Sequence, residues 1–75
     1  MNYFSSKFTL GILGGGQLGK MLLAVTSRLS IKTNILDPSN DSPCKKLCNE
    51  FSLGNLMDFN SVYEFGKNCD LVTYE

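Results

Sequence analysis

Five glycines, Gly11, Gly14, Gly15, Gly16 and Gly19, crowd the stretch GILGGGQLGKM that runs from Gly11 to Met21. Glycine lets a backbone turn tightly and approach a ligand closely. A helix opening at Gln17 would leave its first N–H groups without intrahelical acceptors, and such a helix start is an anion site. Gly14, Gly16 and Gly19 also satisfy G-x-G-x-x-G, the spacing of dinucleotide-binding loops. Two carboxylates add to the candidate chemistry. Asp37 lies 23 positions after Gly14, just past NIL. An acid about 20 positions beyond such a loop holds a ribose hydroxyl. An aspartate inside DPSNDSP is equally suited to capping a turn, and both readings stand. Glu75 ends the run DLVTYE; taken alone it is equally well a solvated loop carboxylate.

The other reactive residue types read as structure. The chain has no histidine and no C-x-x-C pair, so Cys44 and Cys48 are small packing residues rather than zinc ligands. Cys69 has no histidine to act as its base. Lys45 and Lys46 form a solvated face. No catalytic residue and no metal site are expected within this segment.

The elements that would position the loop follow from periodicity. KFTLGIL (7–13) reads as a buried strand that ends in glycines. Leu18, Met21, Leu22, Val25 and Leu29 trace one face of a helix from Gln17 to about Leu29, with Met21 and Leu22 in the core. KTNIL (32–36) is a second strand, and DPSNDSP (37–43) is the most turn-prone segment. Ser42-Pro43 resembles a cap and a first-turn proline, which predicts a short helix over PCKKLCNE (43–50). FSL (51–53) is a third strand. Asp58 caps a helix from Phe59 to Asn68, with Tyr63 and Phe65 against the sheet. DLVTY (70–74) is the fourth strand.

That alternation predicts an α/β fold: a Rossmann-like, three-layer parallel sheet of four strands in order 3-2-1-4 with three helices. In such sheets ligands sit beyond the carboxyl ends of the strands, where the order reverses. There Gly14–Gly16 and Tyr74–Glu75 would converge.

Seventy-five residues make one small domain, 8–75, behind a short amino-terminal extension, 1–7. Seven basic residues balance seven acidic ones, so there is no electrostatic footprint for nucleic acid. The longest apolar run, Met21–Val25, is far short of the roughly 20 residues that span a bilayer, and no signal peptide is visible. A cytoplasmic protein with no membrane partner is expected.

The segment LGILGGGQLGKML, then LDP, SP and the final DLVTYE, resembles the amino-terminal region of the N5-carboxyaminoimidazole ribonucleotide synthase family. These are ATP-grasp carboxylating ligases of de novo purine biosynthesis. Gln17-Leu18 inside the glycine run makes the match more specific than the generic fingerprint, and the resemblance extends from Phe8 to Glu75. It implies a pre-ATP-grasp domain that does not bind NAD but forms one wall of the site for 5-aminoimidazole ribonucleotide. Gly15, Gly16, Gln17, Leu18 and Glu75 are then substrate-binding, and Gly14 and Gly19 shape the loop. Glu75 would accept a hydrogen bond from the substrate's amino group.

The family's reaction converts 5-aminoimidazole ribonucleotide, bicarbonate and ATP to N5-carboxyaminoimidazole ribonucleotide, ADP and phosphate. The resemblance places ATP and Mg2+ outside this segment. It implies a longer, homodimeric parent enzyme whose remaining domains complete the site, and a 75-residue chain inactive by itself. The rival reading is an NAD(P)- or FAD-binding module of an oxidoreductase, with which Asp37 is compatible.

Overall fold

A computed structural model describes residues 8–74, the side chain of Tyr74 excepted. The expected extension 1–7 and Glu75 lie outside the described residues. The elements are β1 (Thr9–Leu13), α1 (Gln17–Arg28), β2 (Lys32–Asp37), β3 (Glu50–Leu53), α2 (Phe59–Gly66) and β4 (Leu71–Tyr74).

The four strands form one parallel sheet in the order β3-β2-β1-β4, as expected. β1 and β2 are central and flanked on both sides. Thr33, Asn34, Ile35 and Leu36 of β2 are all buried, the continuous burial typical of a parallel strand covered on both faces. β3 and β4 are short edge strands and more exposed. Ile12, Leu23, Ile35 and Cys44 make the core on the α1 face, with Leu10, Leu22, Cys48 and Phe51 packed around them. On the opposite face Phe65 of α2 is buried above Gly11.

α1 forms where its periodicity predicts, but it turns a different side to the sheet. Gly19, Leu23 and Thr26 are buried. Leu18, Met21, Val25 and Leu29 are exposed, Met21 by 66%. The expectation that Met21 is core is therefore corrected; of the apolar stripe, Leu22 alone packs against the core. Gly19 and Thr26 are small enough to bring the helix close to the strands. The helix stops in a Schellman turn: Ser30 takes φ 58°, and Ile31 N–H donates to the Thr26 carbonyl at 3.0 Å.

The helix expected over 43–50 is absent. That segment is a series of turns, with Lys45 N–H bonded to Ser42 O and Leu47 N–H to Cys44 O, one i→i+4 bond from Cys48 to Cys44, and no continuing ladder. Among the described residues there are two α-helices, not three. The cause is long-range: Ser42 and Cys44 are both bonded to the glycine loop, and Cys44 is fully buried in the core. Seven or eight residues are too few for helix propagation to outweigh those contacts.

α2 is capped as the sequence suggests. The Asp58 carboxylate accepts from Ser61 N–H at 3.1 Å and from Ser61 Oγ at 2.6 Å. The helix ends at Gly66, before the expected Asn68. Tyr63, expected against the sheet, is 56% exposed and stacks on Phe59; Phe65 is the buried residue of α2.

Candidate functional site at the β1–α1 loop

Parallel register places the candidate site. Leu13, the last residue of β1, lies between Leu36 of β2 and Tyr74 of β4. The glycines that follow Leu13 therefore emerge at the carboxyl edge, beside the ends of both neighbouring strands. β1 leads to β2 on one side and pairs with β4 on the other, which is a topological switch point. Tyr74 is the residue before Glu75, so the backbone leading into Glu75 ends next to the glycine loop.

Each glycine has its own reason. Gly14 adopts φ 104°, a region other residues avoid, and its N–H donates to the Leu36 carbonyl at 2.7 Å. Gly15 is needed for space. A Cβ there would strike the Ser42 hydroxyl and press on Ile35 Cγ2 at 3.1 Å and Cys44 Cβ at 3.3 Å. Gly16 is the N-cap of α1, with no side-chain cap, and its carbonyl accepts from Lys20 N–H at 3.0 Å. Gly19 is buried on the sheet side of the helix.

Gly15 is held at both polar groups. Its N–H donates to Asp37 Oδ2 at 2.6 Å. Its carbonyl accepts from the Ser42 hydroxyl at 2.6 Å and from Cys44 N–H at 3.3 Å. The other oxygen of Asp37, Oδ1, accepts from Ser39 N–H at 2.8 Å, closing an Asx turn over Pro38. Asp37 thus directs its carboxylate at backbone amides of the loop and of its own turn.

Beyond this anchored residue the loop turns outward. Gln17 and Leu18 are exposed, Leu18 by 65%, and they head the first helical turn, whose N–H groups point along the axis. Gln17, Leu18 and the partly exposed Gly16 form the outer rim of the loop. The structure brings the loop together with the end of β4; Glu75 lies outside the described residues.

Ser42 is the residue that sequence reasoning misplaced. Ser42-Pro43 signalled a helix cap and a first-turn proline, yet nothing in its spacing indicated a partner 27 positions away. The Cys69 thiol is pushed up by burial, reinforced by the Asp70 and Glu50 charges, and burial also raises that of Cys48. Among the described residues no three His, Cys, Asp or Glu side chains are placed to hold a metal ion. A groove of about 630 Å³ lies away from the loop, on the sheet face between Asn34, Leu36, Ser61 and Phe65. It gathers no reactive constellation.

A parallel sheet in the order β3-β2-β1-β4 with a glycine loop at its switch point defines the class as a Rossmann-like α/β domain. Within that class the assignment is specific. Residues 7–75 match the ribonucleotide synthetase preATP-grasp domain, and the chain belongs to that family. It is 42% identical, over its whole length, to the N5-carboxyaminoimidazole ribonucleotide synthase of Staphylococcus aureus strain COL. Identity is 43% with the corresponding protein of Staphylococcus haemolyticus. These matches span about a fifth of the relatives' length: 21% in each case.

Solved structures agree. The Staphylococcus aureus N5-carboxyaminoimidazole synthetase complexed with ADP superposes with a TM-score of 0.89 at 39% identity, covering 100% of this chain and 20% of that one. The Aspergillus clavatus synthase in complex with ADP and 5-aminoimidazole ribonucleotide gives 0.82 at 36% identity, covering 95% and 19%.

Proposed function

We propose that this chain is the substrate-side amino-terminal domain of an ATP-dependent carboxylating ligase. In that ligase 5-aminoimidazole ribonucleotide, bicarbonate and ATP become N5-carboxyaminoimidazole ribonucleotide, ADP and phosphate. The observation that carries the reading is the end-to-end similarity to synthases of that name, glycine loop included. The Aspergillus clavatus relative, in complex with the ribonucleotide, supports the choice of substrate.

In this proposal Gly16, Gln17 and Leu18 present the binding surface and Gly15 anchors it from beneath, with Gly14 and Gly19 setting the loop's path. Glu75, following the strand that ends beside the loop, accepts a hydrogen bond from the exocyclic amine and orients it for attack on an activated carboxyl carbon. The relatives in complex with ADP or ATP support a nucleotide in the parent enzyme. The proposal assigns ATP and Mg2+ to domains outside this segment, as the family resemblance implies. No step here runs through them. A homodimeric, cytoplasmic parent is part of the same proposal.

The dinucleotide reading is less well supported. Its ribose ligand would be Asp37, whose two oxygens already accept from Gly15 and Ser39.

The test uses the ligase that carries this segment. ADP release dependent on both bicarbonate and 5-aminoimidazole ribonucleotide is expected, with Glu75→Gln weakening use of the ribonucleotide and leaving ATP affinity intact. Tight NADH binding with no response to the ribonucleotide would overturn the reading.

A further inference from the structure

Three consecutive glycines make a poor binding surface unless something holds them. Gly14, Gly15 and Gly16 carry no side chains, so rotation of the peptide planes between them meets little steric resistance. Fixing one residue's backbone costs roughly 1–2 kcal/mol of conformational entropy, and a ligand that must order the loop itself binds more weakly for it. In this structure the loop is ordered from behind. Gly15 N–H belongs to the Gly14–Gly15 peptide and is held by Asp37 at 2.6 Å. Gly15 C=O belongs to the Gly15–Gly16 peptide and is held by Ser42 at 2.6 Å. Both planes flanking Gly15 are therefore pinned, each by a different side chain.

The geometry of the clamp has a direction. The Gly15–Gly16 peptide is trans, so its N–H points opposite to its carbonyl. With the carbonyl turned inward to Ser42, the Gly16 N–H is turned away from Ser42. The same pinning aims the first turn of α1, since Gly16 is its N-cap. Ser42 is itself fixed: it is 8% exposed, and its oxygen accepts from Cys44 N–H at 3.2 Å. Asp37 is fixed by its second bond, to Ser39 N–H.

We infer that Asp37 and Ser42 are positioning residues for substrate binding. They lock both peptide planes of Gly15 so that the loop meets the ribonucleotide already in its binding conformation. This rests on the proposal that the β1–α1 loop is the substrate surface. Neither residue needs to touch the substrate.

The experiment is steady-state kinetics on the ligase that carries this segment, with Asp37→Asn, Ser42→Ala and Gln17→Ala. Asparagine keeps the shape of Asp37 but offers one acceptor oxygen to two amide donors, so one of them loses its bond. Ser42→Ala removes a single hydroxyl and keeps the test standing if Asp37→Asn does not fold. Loss of a charge-assisted or buried bond that orders the loop should raise KM for 5-aminoimidazole ribonucleotide roughly tenfold, with kcat and KM for ATP changed less than about twofold. A purely structural role would lower the thermal midpoint without that selective rise. The Gly15 amide proton, bonded to a carboxylate, should resonate far downfield and move upfield in Asp37→Asn.

If Gln17→Ala raises KM for the ribonucleotide while Asp37→Asn and Ser42→Ala leave it unchanged or lower it, the clamp is refuted and the site stands. If all three variants leave KM unchanged, the loop is not the substrate surface and both proposals fall.

Discussion

Thr9 and Asp70 exchange two hydrogen bonds across 61 positions of sequence: Thr9 N–H donates to Asp70 Oδ2 at 2.7 Å, and Asp70 N–H donates to the Thr9 carbonyl at 2.8 Å. This pair sits at the amino ends of β1 and β4. It sets the register that brings Leu13 opposite Tyr74 at the other end. The alignment of the glycine loop with the end of β4 therefore starts at the far edge of the sheet.

Asp70→Ala should loosen β4 first. It leaves the Thr9 amide, in a residue 7% exposed, without its acceptor. An unpaired buried donor costs roughly 1–3 kcal/mol. The expected outcome is faster hydrogen exchange at the β4 amides and a lower thermal midpoint. Exchange in β2 and β3 should respond less. Equal loss of protection in all four strands would mean that the pair does not govern β4 separately.

Gly11→Ala tests the packing beneath α2. A Cβ at Gly11 would lie 2.5 Å from Cys69 Sγ and 3.0 Å from Phe65 Cε2. Overpacking of this kind typically costs about 1–3 kcal/mol. Pairing it with Cys69→Ala removes the nearer obstacle, so the double variant should recover part of the loss. A double-mutant cycle in denaturant reads that coupling directly; additive losses would contradict the contact.

The adjacent glycines Gly14 and Gly15 should fail for different reasons. At φ 104°, Gly14→Ala is strained by about 1–2 kcal/mol whatever its surroundings. Asparagine tolerates positive φ better, so Gly14→Asn should cost less than Gly14→Ala. Gly15→Ala has no such backbone conflict, but its Cβ meets the Ser42 hydroxyl. Combining it with Ser42→Gly removes the nearest obstacle and should recover part of the loss, since Ile35 and Cys44 still press on the new Cβ and the Gly15 carbonyl loses that hydroxyl. Urea midpoints of the four variants distinguish strain from contact.

The cap of α2 gives the protein an acid-side dependence. The Ser61 hydroxyl, and then its backbone N–H, hold the Asp58 carboxyl below its ordinary value of 3.8. A carboxylate whose folded pKa is depressed adds stability above its unfolded pKa, and that stability is lost as pH falls through the folded value. Thermal midpoints of the parent should therefore drop across the acid end of the carboxylate range. Asp58→Ala should start lower at neutral pH and show a shallower drop. A parallel pair of curves would remove Asp58 from the pH response.

The sequence alone determined the alternation of strands and helices, the strand order, the glycine loop between β1 and α1, and the Asp58 cap. Each is written in local signals: a run of apolar residues ending in glycines, a 3.6-residue period, an aspartate before a helix. The tertiary structure decided the rest. Periodicity groups Leu18, Met21, Val25 and Leu29 on one side of α1, but it does not say which side meets the sheet. Close approach selected the narrower face of Gly19, Leu23 and Thr26. Local rules likewise favoured a helix after Ser42-Pro43, and they left Asp37 undecided between a ligand and a turn. Hydrogen bonds to Gly15, from 27 and 22 positions away, took the place of that helix and drew the Asp37 carboxylate to the loop. Such partners are chosen by which groups the folded sheet brings to one edge, and a buried amide or carbonyl takes the acceptor or donor it finds there, whatever their separation along the chain.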